Sequence, residues 1–230
     1  MNKRLKWGLG VIVVAVIASE LLLPWLVSIF IARSMIGIVG TDQVAATIEK
    51  RPALAMVTGQ FDRVAIKAQG AKLDKIMFDE LDAVLTDVRL DQQALLVNRQ
   101  LVVKSARNVE MTAVLSQEEL SRFLNQSVKG VKNAVVTVDG GQVKVNAEFG
   151  IGGIASLAVT LEGRVAADNQ KIKFVTDRFL INHTLVGKIG GIALTEIPLV
   201  DLKKLPFGVA VSNISMEQGK VTVFADNQSK

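Results

Sequence analysis

The N-terminus constrains this chain most. Three basic residues, Lys3, Arg4 and Lys6, precede the apolar run Trp7–Ala18, and after one charge, Glu20, a second apolar stretch continues through Ile31. A basic start followed by an apolar segment is the layout of a secretory signal or a signal-anchor. Residues beyond about 40 are therefore expected on the outer face of the cytoplasmic membrane, with the basic residues held inside. Trp7–Ala18 is shorter than the roughly 20 residues a spanning helix needs. Extension to Ile31 is long enough, but it places Glu20 near the bilayer centre at about 2.5 kcal/mol or more. Two readings stay open. In one, Val16-Ile17-Ala18 is a cleavage site and the mature chain starts near Ser19. In the other, the segment stays as an anchor, with Glu20 close to the outer interface. The basic-then-apolar order disfavours a core helix of a cytoplasmic protein. A second helix is expected over Pro24–Ile38, with Pro24 in its first turn and Trp25, Ile29, Met35 and Ile36 on its buried side.

Composition is compatible with export. The absence of cysteine excludes disulfides, a lipidated Cys, and zinc or iron–sulfur sites that need thiolate. The net charge is +5. Residues 1–40 carry four basic side chains and one acid (Lys3, Arg4, Lys6, Arg33; Glu20), or +3, which leaves +2 for the remainder. That near-neutral body is a poor nucleic-acid binder. Contact with anionic lipid headgroups stays open.

Beyond residue 40 the pattern is mostly β, and its length suits one domain, residues 41–230, after an N-terminal unit of residues 1–40. Gln142–Phe149, Ala155–Val165 and Val109–Leu115 alternate apolar and polar residues, as half-buried antiparallel strands do. Asp139-Gly140-Gly141, Asp168-Asn169 and Gln218-Gly219 read as hairpin turns. Weaker strands are expected at 63–68, 81–90, 101–105, 171–177, 208–212 and 220–225. One helix is clear: Ser116-Gln117-Glu118-Glu119 is a capping box, and Leu120, Phe123 and Leu124 make one stripe behind it. Gly130 marks its end. The class is α+β.

The search for catalytic chemistry is mostly negative. His183 is the sole histidine, in a setting that reads as structural or solvated. Asp87 with Asp91, or Asp79, Glu80 and Asp82, are the candidate carboxylate pairs, but acids on the outward side of strands are by default a solvated face. Gly187–Gly191 lacks the full phosphate-loop spacing. No catalytic residue, metal site or cofactor is expected. The positive signal is apolar excess: half the residues are hydrophobic, and the mean hydropathy is +0.36. Part of it lies in stretches read as irregular chain, Ile189–Leu199 and Ala53–Val57. Apolar loops imply burial beneath a sheet or contact with lipid. An apolar cavity for acyl chains and a filled core are both consistent with that excess.

Ordered motifs then carry a resemblance. They are Glu20-Leu21-Leu22-Leu23-Pro24, Arg51-Pro52-Ala53-Leu54, Gly59-Gln60-Phe61-Asp62-Arg63-Val64 and Asp87-Val88-Arg89-Leu90. Leu115-Ser116-Gln117-Glu118-Glu119-Leu120, Leu205-Pro206-Phe207-Gly208-Val209 and Gly219-Lys220-Val221 complete the series. In this order, residues 20–230 resemble the LmeA-like phospholipid-binding family of bacterial envelope proteins. The glycine-rich Gly187–Gly191 departs from that pattern. The resemblance implies an exported or membrane-tethered domain that binds phospholipid or a related amphiphile. It also implies a strongly curved antiparallel β-sheet wrapped around one or two helices. It supplies no catalytic residues.

The expectation is therefore a non-catalytic, extracytoplasmic lipid-binding protein whose partners are a phospholipid or other amphiphile and the membrane. The expected lipid-facing residues are Leu120, Phe123 and Leu124, with Val145, Phe149, Leu157, Val159 and Leu161 on facing strands. Ile189, Ile192 and Leu194 form an apolar lip, and Lys188, Lys203 and Lys204 meet the headgroup. An envelope scaffold with a fully packed core is the alternative. An envelope enzyme acting on lipid-linked sugars ranks last.

Overall fold

Alternation and turn chemistry translate directly into the β framework of the computed structural model, which describes residues 3–151, 155–182, 184–186 and 196–229. In chain order the elements are α1 (Lys3–Val39), β1 (Val44–Glu49), β2 (Gln60–Leu73), β3 (Ile76–Leu90), α2 (Gln92–Leu96), β4 (Val103–Ser105), β5 (Asn108–Ser116), α3 (Gln117–Ser127), β6 (Val131–Asp139), β7 (Gln142–Ile151), β8 (Ala155–Asp168), β9 (Lys171–Ile181), β10 (Thr184–Val186), β11 (Glu196–Asp201), β12 (Ala210–Glu217) and β13 (Lys220–Asp226). Two 3₁₀ turns cover Ala53–Thr58 and Leu202–Lys204.

The strands form two antiparallel sheets where one was expected. The first runs β1-β2-β3-β5-β13-β12, with β4 added on β3. The second runs β10-β9-β8-β7-β6, with β11 added on β9. Neither closes on itself. The three expected hairpin turns all form. Asp139 pairs with Gln142 across Gly140 and Gly141, whose φ values of 52° and 85° suit a two-residue primed turn. Asp168 pairs with Lys171, and Glu217 with Lys220. The stretch read as irregular through Leu199 is strand from Glu196 onward.

The helix α1 departs most from expectation. It continues unbroken through Pro24 rather than starting again there. The missing N–H of Pro24 leaves the Glu20 carbonyl without its intrahelical partner, but apolar sequence on both sides sustains the helix. Of its expected buried side, Met35 is fully buried, Ile29 and Ile36 are half-buried and Trp25 is exposed; Ile31 and Val39 are fully buried beside Met35, and Leu23, Val27, Phe30 and Ile38 lean on the same core. Leu23, Val27, Ile31, Met35 and Val39 recur every four residues, on a helix that packs against β1, β2 and the Ala53–Thr58 turn. A helix that is apolar all round shows no preferred face in its sequence, so this stripe was not legible.

The helix α3 starts as expected. Ser116 Oγ accepts from Glu119 N at 3.4 Å. The reciprocal half of the box is replaced, because Ser116 N donates to Asp79 Oδ2 at 2.8 Å and Glu119 turns instead to Arg122. The stripe Leu120, Phe123 and Leu124 is buried. The polar side does more than face water. Val138 N donates to Gln117 Oε1 at 3.3 Å, Val136 N to Ser121 Oγ at 2.8 Å, and Ala134 N to Asn125 Oδ1 at 2.8 Å. Asn125 Nδ2 returns a bond to Ala134 O at 2.9 Å. Three side chains at i, i+4 and i+8 thus satisfy β6, an edge strand whose backbone would otherwise be open to another chain.

Candidate lipid-binding site

The long hairpin β2–β3 sets the geometry. The fourteen residues of β2 extend about 45 Å at 3.3 Å each. At one end is the Asp74-Lys75 turn. At the other end Gly59 precedes β2 and Leu90 closes β3. The second half of α1 lies along this hairpin. Near the open end Ala53 N donates to Glu20 Oε1 at 2.9 Å, and near the turn end Gly40 approaches Lys72.

At the open end an apolar cavity of about 250 Å³ lies between α1, the Ala53–Thr58 turn and α2. Leu23, Leu26, Val27 and Phe30 line it from α1. Met56, Val57, Phe61, Leu90, Leu95 and Leu96 complete the hydrocarbon wall. Gln92 is the polar lining side chain, and its amide donates to Val57 O. Local backbone chemistry fixes the frame. Gly59 has φ +73°, and a Cβ there would stand 2.7 Å from Leu90 O, so glycine is required. Leu90 N donates to Gly59 O at 2.9 Å. Asp91 caps α2 by accepting from Ala94 N at 3.0 Å and pairs with Lys104 at 3.0 Å. The Ala94 N–H first, and then Lys104, hold the Asp91 carboxyl below its ordinary range. Asp62 is held low in the same way, by Lys50 and then by Arg51 N–H.

The mouth of the cavity is greasy. Leu26, Val57 and Leu96 both line it and reach solvent, with exposed Leu22, Trp25 and Leu54 on the same elements and exposed Val97 at the C-cap of α2. The stretch Val16–Val39 of α1 is long and apolar enough to cross a membrane. Its two halves differ, however. Ile31, Ser34, Met35 and Val39 are buried, whereas Trp7, Val13, Val14, Val16 and Ile17 are exposed.

The expected site residues fall elsewhere. Leu120, Leu124 and Val145 do meet, but the gap they share with Val136, Val143, Val165, Phe174 and Leu199 is about 10 Å³, room for one water at most. Val159 and Leu161 are buried, and Phe149 and Leu157 lean on the core. Phe123 faces a larger hollow of about 630 Å³ at the turn end of the hairpin, lined by Ile172, Pro198, Leu199 and Val200 together with Asp74, Lys75, Asp168, Lys171, Lys173, Glu196 and Asp201. Lys173 pairs there with Glu196 at 2.8 Å, which holds the lysine above its ordinary range. Lys204 is engaged by Asp74, and Lys203 is exposed on the Leu202–Lys204 turn. Lys188, Ile189, Ile192 and Leu194, like His183, lie outside the described residues.

Four of the five candidate carboxylates have structural partners. Asp79 accepts from Ser116 N, Asp82 pairs with Lys67 at 3.5 Å, Asp87 pairs with Arg107 at 3.0 Å, and Asp91 is the α2 cap. Among the described residues no group of three or more His, Cys, Asp or Glu side chains is placed to hold a metal.

A family model described as LmeA-like phospholipid-binding matches residues 21–226. No curated protein and no solved structure matches the chain. The chain belongs to the LmeA-like phospholipid-binding family, and the match opens at Leu21, one residue past Glu20.

Proposed function

We propose that this protein is a non-catalytic phospholipid-binding protein, tethered by α1 to the outer face of the cytoplasmic membrane, and that one acyl chain enters the cavity between α1, the Ala53–Thr58 turn and α2. The observation that carries this reading is the placement of that cavity. It is lined almost wholly by hydrocarbon, and its α1 wall, Leu23 to Phe30, follows directly on the exposed N-terminal half of that helix. Its volume of about 250 Å³ is below the roughly 300–1,000 Å³ of sites that enclose a drug-sized ligand. It therefore suits part of one chain, with the headgroup outside. Each methylene moved from water into it contributes about 0.8 kcal/mol. The larger hollow at the turn end mixes hydrocarbon (Phe123, Ile172, Pro198, Leu199, Val200) with charged groups that would lose water to an acyl chain, so it is the less favourable place for one. A chain that reached Leu120, Leu124, Val145 and Leu161 would need α3 to lift from the second sheet.

The test is uptake of a phospholipid with a fluorescent acyl chain by the full chain in mild detergent. Leu26→Trp combined with Val27→Phe fills the cavity and is expected to abolish uptake while unfolding stays cooperative. Unchanged uptake by that variant contradicts the assignment.

A further inference from the structure

We infer that the Ala53–Thr58 turn and α2 form a membrane foot: Leu54, Val57, Leu96 and Val97 are immersed in the interfacial region of an anionic leaflet, while Arg51 and Arg99 meet its phosphates. The inference deepens the reading of α1 as a membrane helix and rests on it.

Three observations carry it. The first is the unpartnered apolar surface itself. Leu54, Val57, Leu96 and Val97 are 48%, 62%, 58% and 72% exposed, on two short helical elements that both touch α1. Water-facing patches of this kind mark contact surfaces. The second is length. The part of α1 before its Glu20 bond to Ala53 covers Lys3–Ser19, about 25 Å at 1.5 Å per residue. A hydrocarbon core is about 30 Å thick, so the helix spans it only if the level of Glu20 and Ala53 is drawn inward. The two tryptophans of the chain agree. Trp7 and Trp25 are both exposed and stand eighteen residues apart, which is five turns, on one helix face and about 27 Å along the axis. That is close to the roughly 30 Å thickness of the hydrocarbon core, at whose two edges interfacial aromatic residues gather. With Trp25 at the outer belt, Glu20 and Ala53 lie about 7.5 Å deeper, within the roughly 5–10 Å to which interfacial apolar faces sink. The third is charge. Arg51 lies two residues before the first turn and Arg99 follows α2, both are exposed, and among the described residues neither makes an ion pair. Guanidinium groups match phosphate oxygens in a bidentate manner, and each basic residue near an anionic surface strengthens partitioning about fivefold.

The chain has no cysteine, so single labels can be placed without background. The full chain, reconstituted in vesicles of phosphatidylglycerol with phosphatidylcholine, would carry a fluorophore at Val57→Cys, Val97→Cys or, as the distant reference, Lys75→Cys at the hairpin turn. Labels at the first two sites are expected to be shielded from an aqueous quencher and reached by a lipid-borne one, and the Lys75 label to behave in the opposite way. Aqueous quenching at Val57 and Val97 equal to that at Lys75 overturns the foot. Arg51→Glu with Arg99→Glu is expected to expose the Val57 label on phosphatidylglycerol vesicles and to change nothing on pure phosphatidylcholine. An equal change on both, or none on either, removes the arginines from the proposal. Phospholipid uptake is measured on the unlabelled chain and on the Val97→Cys variant, because Val57 lines the cavity and its label reports depth alone. Shielded labels without uptake support the foot and sink the cavity reading. Exposed labels with uptake do the reverse.

Discussion

The molecule lays a helix against a sheet twice, and the two contacts are made differently. Against the second sheet, α3 buries Leu120 and Leu124, leaves about 10 Å³ unfilled, and is stitched to β6 by Gln117, Ser121 and Asn125. Against the first sheet, α1 buries an apolar stripe but leaves about 250 Å³ open beside Leu23 and Val27. Its polar tie to the rest of the protein is the Glu20 carboxylate on Ala53 N. Directional bonds fix a helix in one position, whereas an apolar contact tolerates sliding and accepts other hydrocarbon in its place. On the proposed reading α3 is structural, and the exchangeable hydrocarbon is what fills the open space beside Leu23 and Val27 of α1.

Removal of buried volume should separate the two most widely. Leu124→Ala empties a filled interior and is expected to destabilise by about 2–5 kcal/mol, whereas Leu23→Ala borders space that already exists and should lose about 1 kcal/mol. Guanidinium unfolding in mild detergent measures both, and equal losses would erase the distinction. Next is the stitching. Asn125→Ala leaves Ala134 N and O without side-chain partners, at about 2–3 kcal/mol, and should raise hydrogen exchange along β6 first. Glu20→Ala removes a charge-assisted bond and should lose about 1.5 kcal/mol while loosening the Ala53–Thr58 turn. A larger loss than for Asn125→Ala would mean that α1, too, is held by polar bonds.

The smallest effect is that of pH. The Asp91 carboxyl is held below its ordinary value of 3.8 by Ala94 N–H and Lys104. A depressed folded value means that this contribution is present above the unfolded value and is lost as pH falls through the folded one. The stability difference between wild type and Asp91→Asn should therefore be constant above pH 5 and shrink in stronger acid. A difference that persists unchanged below the folded value would show that the charge of Asp91 does not steady α2.

Much of this contrast was written in the sequence, unevenly. Alternation gave the strands, and Asp139-Gly140-Gly141 and Gln218-Gly219 gave their turns, because both signals are local. Ser116 and the stripe behind it announced α3. The stitch on β6 was also present, as polar residues every four positions from Gln117, but such a row looks like an ordinary solvated face until the edge strand is known. The buried side of α1 left no signal, since every side of that helix is apolar. Half of the cavity was visible in the apolar Ala53–Val57 stretch. Its other wall was not, because α2 is five residues long and takes its shape from the Asp91 cap and from contact with α1. The acyl-facing role given to Leu120, Leu124 and Val145 came from reading an inward stripe as lining, whereas those side chains nearly fill the space between them.

The most direct measurement is photocrosslinking. The full chain in vesicles would be irradiated with a phospholipid that carries a diazirine along one acyl chain, and the adducts mapped by mass spectrometry. Adducts on Leu23, Phe30, Met56 and Leu95 are the result expected from an acyl chain held between α1 and α2. Adducts confined to Leu120, Leu124 and Val145, or to the bilayer face of α1 below Glu20, would contradict it.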